Sequence, residues 1–422
     1  MLDYNKMDEL PDNSVTESFT GKLTHTTFIK ITVFGFGLSV LWACVHSVIL
    51  PIRLLDFVPE AQKNTYLDLL ILAGLFLAMI VQPVAGAISD RSGIKWGRRR
   101  PYILLGGLLV LLLLPGIGLT GSYATIFIVY CFLQISSNIA QGPFQGLIPD
   151  LIPKERRGTA SGWRGLLNLI GSVLIMRLIA PLMDKYFTDN EILGLWLTLG
   201  ILALILLAVM LATVITVKEK TVNGSSKLPL LSAVLKSFRV DVRARPEFII
   251  FLVACLFIFM AWGTLTGHIL YFLTDVVNLP GPATAASNLL IVVGIGLLVS
   301  VYPAGRLCDR IGRKPITVTS GFLGALGIAV LYISAFITQN YVHIMLCGGF
   351  LGICGGAWVS TQWALATDLV SKGEEARYLG LVNMSVAGAG ALSRLMGPVI
   401  DYFNGISLNS GYSVMLLVCF IC

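Results

Sequence analysis

Long apolar runs recur along the whole of this 422-residue chain. Each is long enough, at roughly 18 residues or more, to cross about 30 Å of hydrocarbon as a helix. Inside a bilayer the chain must satisfy all its own backbone N–H and C=O groups, which leaves only helices and closed barrels. The alternating pattern of barrel strands is missing, so helices remain. Composition points the same way: 56% of residues are hydrophobic and 13% charged, against about 25% charged in an average soluble domain. The natural solvent is therefore lipid.

The runs predict helices near 28–52, 65–89, 101–120, 123–147, 160–182 and 191–217, then near 247–273, 284–304, 315–337, 341–367 and 377–400. A last one starts at about 411. It is short where the sequence stops at Cys422, so a truncated twelfth span is expected. The organisation that follows is a polar tail over 1–27, a bundle over 28–217, a linker over 218–246 and a second bundle over 247–422. The tail lacks the basic-then-apolar layout of a signal peptide. Within the linker, Leu231, Val234, Leu235 and Phe238 recur at helical spacing beside Lys227, Lys236 and Arg239, as in a helix lying on a membrane surface; a plain solvated loop is the alternative.

The net charge is +7, which alone would admit a nucleic-acid partner. Its placement excludes that reading. Alternate loops hold 21 Lys and Arg residues, and the opposite side has only Arg53, Lys63 and Lys185. Basic residues favour the cytoplasmic face, so both termini are expected there, in a plasma-membrane protein. The eight cysteines are scattered through apolar runs and read as small core residues, with neither a disulfide framework nor a metal site.

Two loops repeat each other. The first reads Gly86-Ala-Ile-Ser-Asp90-Arg91-Ser-Gly93, followed by Gly97-Arg98-Arg99-Arg100-Pro101; the second reads Gly305-Arg-Leu-Cys-Asp309-Arg310-Ile-Gly312-Arg313-Lys314-Pro315. Their Asp-Arg pairs lie 219 positions apart. Asp150-Leu151 with Lys154 matches Asp368-Leu369 with Lys372 at 218. Arg177, Pro181 and Asp184 match Arg394, Pro398 and Asp401 at 217. Trp42, Ile49 and Leu50 match Trp262, Ile269 and Leu270 at 220. Four patches in one register imply two parallel six-helix repeats, an arrangement known in transporters with the solute site between the halves.

These loops resemble the signature of the major facilitator superfamily, and the resemblance spans essentially the whole chain. Gly97-Arg98-Arg99-Arg100-Pro101 and Gly142-Pro143-x-Gln145-x-Leu147-x-x-Asp150-Leu151 are similar to motifs of the sucrose/proton symporters and the glycoside–pentoside–hexuronide symporters. The resemblance implies twelve transmembrane helices, all α, and transport of a sugar or glycoside. It also implies an inner gate of Asp90, Arg91, Arg98, Arg99, Arg100, Asp150, Asp309, Arg310, Arg313 and Asp368. Two departures stand out. Gln145 takes the place of an Arg that sucrose carriers use, and Ala78 and Gln82 take the places of the Asp residues of sodium-coupled relatives.

Polar residues inside lipid are costly and mark function by default. Gln134, Asn138, Gln141 and Gln145 are spaced 4, 3 and 4 apart, on one face of the fourth helix. Amides can donate to and accept from hydroxyls, so this stripe is a candidate solute surface; hydrogen bonding between helices is the alternative. Trp358, Gln362 and Trp363 lie on the tenth helix and could supply an aromatic wall. Trp42 and His46, with Trp262 and His268, complete the candidate solute residues, and histidine could couple protons. Arg177 with Asp184, and Arg394 with Asp401, are candidates for an outer gate, for coupling or for an anion clamp. Snorkelling to the interface is their bland alternative. Asp68 reads as structural, in the first turn of its helix.

The expected protein is thus a monomeric secondary transporter without cofactor or metal, moving a small polar solute, a sugar or glycoside, with a proton as co-substrate. An exporter of another organic solute or anion is one alternative. A non-transporting membrane receptor is the other. No nucleophile elbow, P-loop or metal-ligand cluster suggests an enzyme.

Overall fold

A computed structural model describes residues 25–94, 96–153, 156–219, 246–368 and 375–422. The side chains of Trp363, Ala364, Thr367, Asp368 and residues 375–380 are outside that description, as are the 1–24 stretch and the 220–245 stretch on which the tail and surface-helix expectations fall.

Twelve helices follow in order among the described residues. The first six are α1 (His25–Leu54), α2 (Lys63–Asp90), α3 (Arg100–Leu119), α4 (Tyr123–Leu151), α5 (Arg157–Asp189) and α6 (Ile192–Thr216). Then come α7 (Pro246–Asp275), α8 (Pro282–Ile311), α9 (Arg313–Thr338), α10 (Tyr341–Asp368), α11 (Glu375–Ser393 and Met396–Ile406) and α12 (Ser410–Ile421). The spans match the apolar runs because lipid leaves the backbone no other partner. Ends are set locally. Ser122, for example, starts α4 with a reciprocal capping box to Thr125, which satisfies two otherwise orphaned donors.

Within each half, small residues let helices approach. A Cβ on Gly142 of α4 would stand 2.3 Å from the Gln82 carbonyl oxygen of α2, and one on Gly352 of α10 would stand 2.2 Å from that of Val293 in α8. Without a hydrophobic drive between helices in lipid, such close backbone packing is a main source of cohesion.

The duplication is visible in bonds. Tyr123 of α4 donates its hydroxyl hydrogen to the Tyr66 carbonyl at 3.0 Å, and Tyr341 of α10 donates to the Ala285 carbonyl at 2.7 Å. The halves meet through α5 against α8 and through α11 against α2, again a related pair. Two departures from regular helix matter for the site. α1 contains a π-helical turn over Val45–Ile49, a distortion frequent at functional positions. α11 is interrupted at Arg394 and Leu395, where a continuous span over 377–400 was expected.

Candidate functional site

The halves are clasped at the end opposite the basic loops. Asp184 of α5 accepts the N–H groups of Ala283 (2.8 Å) and Thr284 (2.9 Å), the first turn of α8. Asp401 of α11 does the same for α2, accepting from Thr65 N–H at 2.6 Å and Asn64 Nδ2 at 2.9 Å. A carboxylate at a helix N-terminus satisfies orphan donors and complements the dipole. Lys63 pairs with Asp275 at 2.6 Å, and Asp275 also accepts from Tyr412 Oη at 2.6 Å. Tyr271 of α7 donates to the Pro51 carbonyl of α1 at 2.7 Å.

Beneath this layer lies a buried charge cluster. Asp68 of α2 is 0% exposed, as is His268 of α7. Asp68 Oδ2 lies 3.1 Å from His268 Nε2 and accepts Gly397 N–H at 2.7 Å; Oδ1 lies 3.3 Å from Arg394 Nη1. The break in α11 supplies both Arg394 and the free Gly397 N–H. All three partners of Asp68 come from the other half.

Next to it, α1 and α4 build a polar nest. The π turn carries His46, whose Nε2 is 2.9 Å from Tyr130 Oη. Gln134 Nε2 donates to the same hydroxyl at 2.8 Å, and Asn138 Nδ2 donates to the Gln134 carbonyl at 2.8 Å. Trp42 stacks 5.0 Å from the His46 ring and meets Tyr130 edge-on at 5.9 Å. Gly74 of α2 makes room, since a Cβ there would strike Tyr130 at 2.6 Å. The amide stripe is graded: Gln134 and Asn138 are buried, Gln141 is half-buried and Gln145 is exposed. It therefore runs from the clasped end towards the basic loops.

Other candidates fall elsewhere. Trp358 does not face α4. It packs among Phe248, Phe251 and Cys255 inside the second half, with its indole N–H unpartnered, and shares with Trp262 a cavity of about 650 Å³ there. Gln362 is buried and accepts from Cys255 Sγ. The aromatic wall expected opposite the amides is thus turned into its own bundle, and Trp363 lies outside the described side chains. His268 joins the charge cluster rather than a solute surface. Asp184 and Asp401 do not pair with the arginines seven residues before them; each reaches across to the other half. Arg177 is exposed, with no ion pair among the described residues.

At the basic end, Arg98 and Arg99 bind acids of their own half. Arg99 pairs with Asp90 at 2.8 Å, Arg98 with Asp150 at 2.6 Å, and Arg99 also with Asp150. Glu219, just past α6, accepts the backbone N–H groups of Arg98, Arg99 and Arg100 at 2.8, 2.8 and 3.0 Å, and the Arg100 guanidinium lies 4.9 Å above the Trp96 ring. Burial works against the Arg98 charge, but Asp150, then Asp90 and Glu219, outweigh it and hold the guanidinium above its ordinary pKa. Arg91 and Arg313 are partnered, Asp309 and Arg310 are exposed, and the Asp368 side chain is outside the description. Towards this end a Cβ on Gly158 or Gly162 of α5, or on Gly305 of α8, would meet nothing within 4 Å.

The sequence took Asp68 as structural and gave no site role to Asn64, Lys63, Asp275, Tyr130 or Glu219. Asp68 carried a usable signal, being an acid followed directly by a long apolar run. The others became visible only through partners distant in sequence.

Two six-helix halves clasped at one end, with buried polar clusters beneath the clasp, define a membrane transporter rather than an enzyme. The chain belongs to the Major Facilitator Superfamily, whose family model matches residues 34–394. Among curated relatives, the sucrose transport protein SUT1 of Oryza sativa subsp. japonica is 25% identical, covering 82% of this chain and 80% of its own length. The inner membrane symporter YicJ of Escherichia coli is 23% identical, covering 74% and 67%. The fold is shared with a D-xylose-proton symporter (TM-score 0.68, 15% identity, 93% and 94% covered) and with the nucleoside transporter NupG (TM-score 0.68, 14% identity, 93% and 95% covered).

Proposed function

We propose that this protein carries a sugar or glycoside across the plasma membrane together with protons, by rocking residues 28–217 against 247–422. Both termini are cytoplasmic in this reading, because the basic loops favour that side, and the structure is then the inward-facing state. The observation that carries the proposal is the graded amide stripe, Gln134 to Gln145, running from the buried His46–Tyr130 contact towards the basic loops. Neutral amides and a hydroxyl suit a neutral polyol, since both can donate and accept. The curated relatives support the same solute class: one is named a sucrose transport protein and another a symporter.

The geometry supports the gate roles in this reading. Asp184, Asp401, Lys63 and Asp275 form the outer gate, with contacts that exist only while the halves are clasped. Asp90, Arg98, Arg99 and Asp150 form the inner-face network, here drawn together within one half. Reconstituted vesicles test the reading. Saturable sugar uptake, faster with an inward proton gradient, is the expected result; absence of saturable uptake of any sugar or glycoside overturns it. The exposure of Arg177 favours an organic anion as the second reading, and the same vesicles decide it with anionic solutes.

A further inference from the structure

The hydrogen-bond inventory of His268 does not close without one additional proton. Its Nδ1 lies 3.0 Å from the Thr264 carbonyl oxygen. A carbonyl only accepts, so Nδ1 carries a hydrogen. Its Nε2 faces Asp68 Oδ2 at 3.1 Å. In a neutral ring with hydrogen on Nδ1, Nε2 presents a lone pair, and an ionised carboxylate also presents only lone pairs. Two acceptors that close, in a site with no solvent exposure, leave an uncompensated buried polar contact. A single proton resolves it, as imidazolium at Nε2 or as carboxylic acid at Oδ2. The bonds from Gly397 N–H and Arg394 to Asp68 are compatible with both forms.

Charge balance gives the same number independently. Around α2, α7 and α11, apart from the Asp184 cap between α5 and α8, stand three carboxylates, Asp68, Asp275 and Asp401, against two cations, Lys63 and Arg394. Glu60, at 87% side-chain exposure, stands in water. One negative charge is left over, and one proton cancels it. The other titratable groups around the cluster are phenols and an imidazole: Tyr271 of α7 and Tyr412 of α12 above it, with His46 of α1 and Tyr130 of α4 within electrostatic reach of Arg394.

We propose that Asp68 and His268 together bind one proton that is held only while the halves are clasped, and that this is the proton coupled to transport. The second clause rests on the proton-coupled reading above. Asp68 belongs to α2 and His268 to α7, so separating the halves divides the site. Clasping therefore takes up a proton from solution, and by linkage the clasped state weakens as pH rises.

The test uses full-length protein in lipid nanodiscs with no solute. Spin labels on unnatural residues at the exposed positions Glu60 and Leu408 report the distance across the clasp. The expected result is a short-distance population that falls at least threefold as pH is raised from about 5 to about 9. His268→Gln, which keeps a donor towards Asp68 but does not titrate, abolishes that dependence, and so does Asp68→Asn. Lys63→Met reduces the short-distance population but leaves its pH dependence intact. A wild-type response that persists in His268→Gln or Asp68→Asn overturns the proposal. Should both variants fail to fold, nitrogen and carboxyl magnetic resonance of labelled wild type decides: a neutral His268 ring beside an ionised Asp68 at neutral pH overturns it. None of these measurements involves sugar, so their failure is separate from a failure of the uptake assay.

Discussion

Asp184 and Asp401, 217 positions apart, make the same bond from opposite sides of the molecule. Each caps the second helix of the half to which it does not belong: Asp184 caps α8 and Asp401 caps α2. The clasp is therefore reciprocal, and weakening either cap loosens it from one side only.

Asp401→Asn should open the clasped end measurably. Hydrogen bonds to charged groups contribute about 1.5–3 kcal/mol each, net of exchange with water, so a shift of roughly tenfold in the clasped-to-parted ratio is expected. Hydrogen exchange at residues 64–66 should quicken, while exchange at 283–285 changes less. Equal acceleration at both places would contradict independent caps.

Tyr130→Phe removes the hydroxyl that joins His46 to Gln134. A buried hydrogen bond lost in this way costs about 1 kcal/mol or more. The expected effect in vesicles is a several-fold rise in KM for the transported sugar, with thermal stability within about 2 °C of wild type. Unchanged KM would remove the α1–α4 nest from the solute path.

Arg53→Ala should be a stability mutation, not a transport mutation. Arg53 is 9% exposed and donates to the carbonyls of Ile117, Gly118 and Thr120 and to the Tyr186 hydroxyl. Removing it strands several buried acceptors, at a cost of about 3 kcal/mol. Thermal unfolding in detergent should show a clear loss; Tyr186→Phe, which removes one partner, should lose less.

Arg177→Ala separates the solute readings. Its exposure predicts a change within about 0.5 kcal/mol in stability. Sugar uptake should be preserved. A selective loss of uptake of an anionic solute would instead favour the anion reading.

Much of the fold was legible because lipid enforces it. Apolar run length sets each span, and the 217–220 offsets recovered a duplication that the structure repeats bond for bond in Tyr123 and Tyr341. The site was less legible. Helical spacing put Gln134, Asn138, Gln141 and Gln145 on one face, but not the grading of their burial. It could not show that α11 breaks at Arg394: Pro398 removes the N–H that would bond the Arg394 carbonyl, but the equivalent Pro181 leaves α5 continuous. Trp358 was misplaced for a related reason: the repeat register aligns positions along a helix, while packing of Phe248, Phe251 and Cys255 decides which way a large ring turns. Asp68 was underrated because a first-turn acid has an adequate local explanation, which concealed its three partners in the other half.

An interface in which one residue of the first copy meets a second residue of the other, and the converse also holds, is what a twofold pair of identical subunits forms. The caps by Asp184 and Asp401 have that form, and two unfused copies of a single six-helix ancestor could have made both. The Asp68 cluster could not. In the repeat register Asp68 and His268 correspond to Ser287 and Val48, while Arg394 corresponds to Arg177. The closure thus obeys the molecule's internal twofold symmetry, and the acid–imidazole pair breaks it, so a proton held there would enter through one side of the clasp alone.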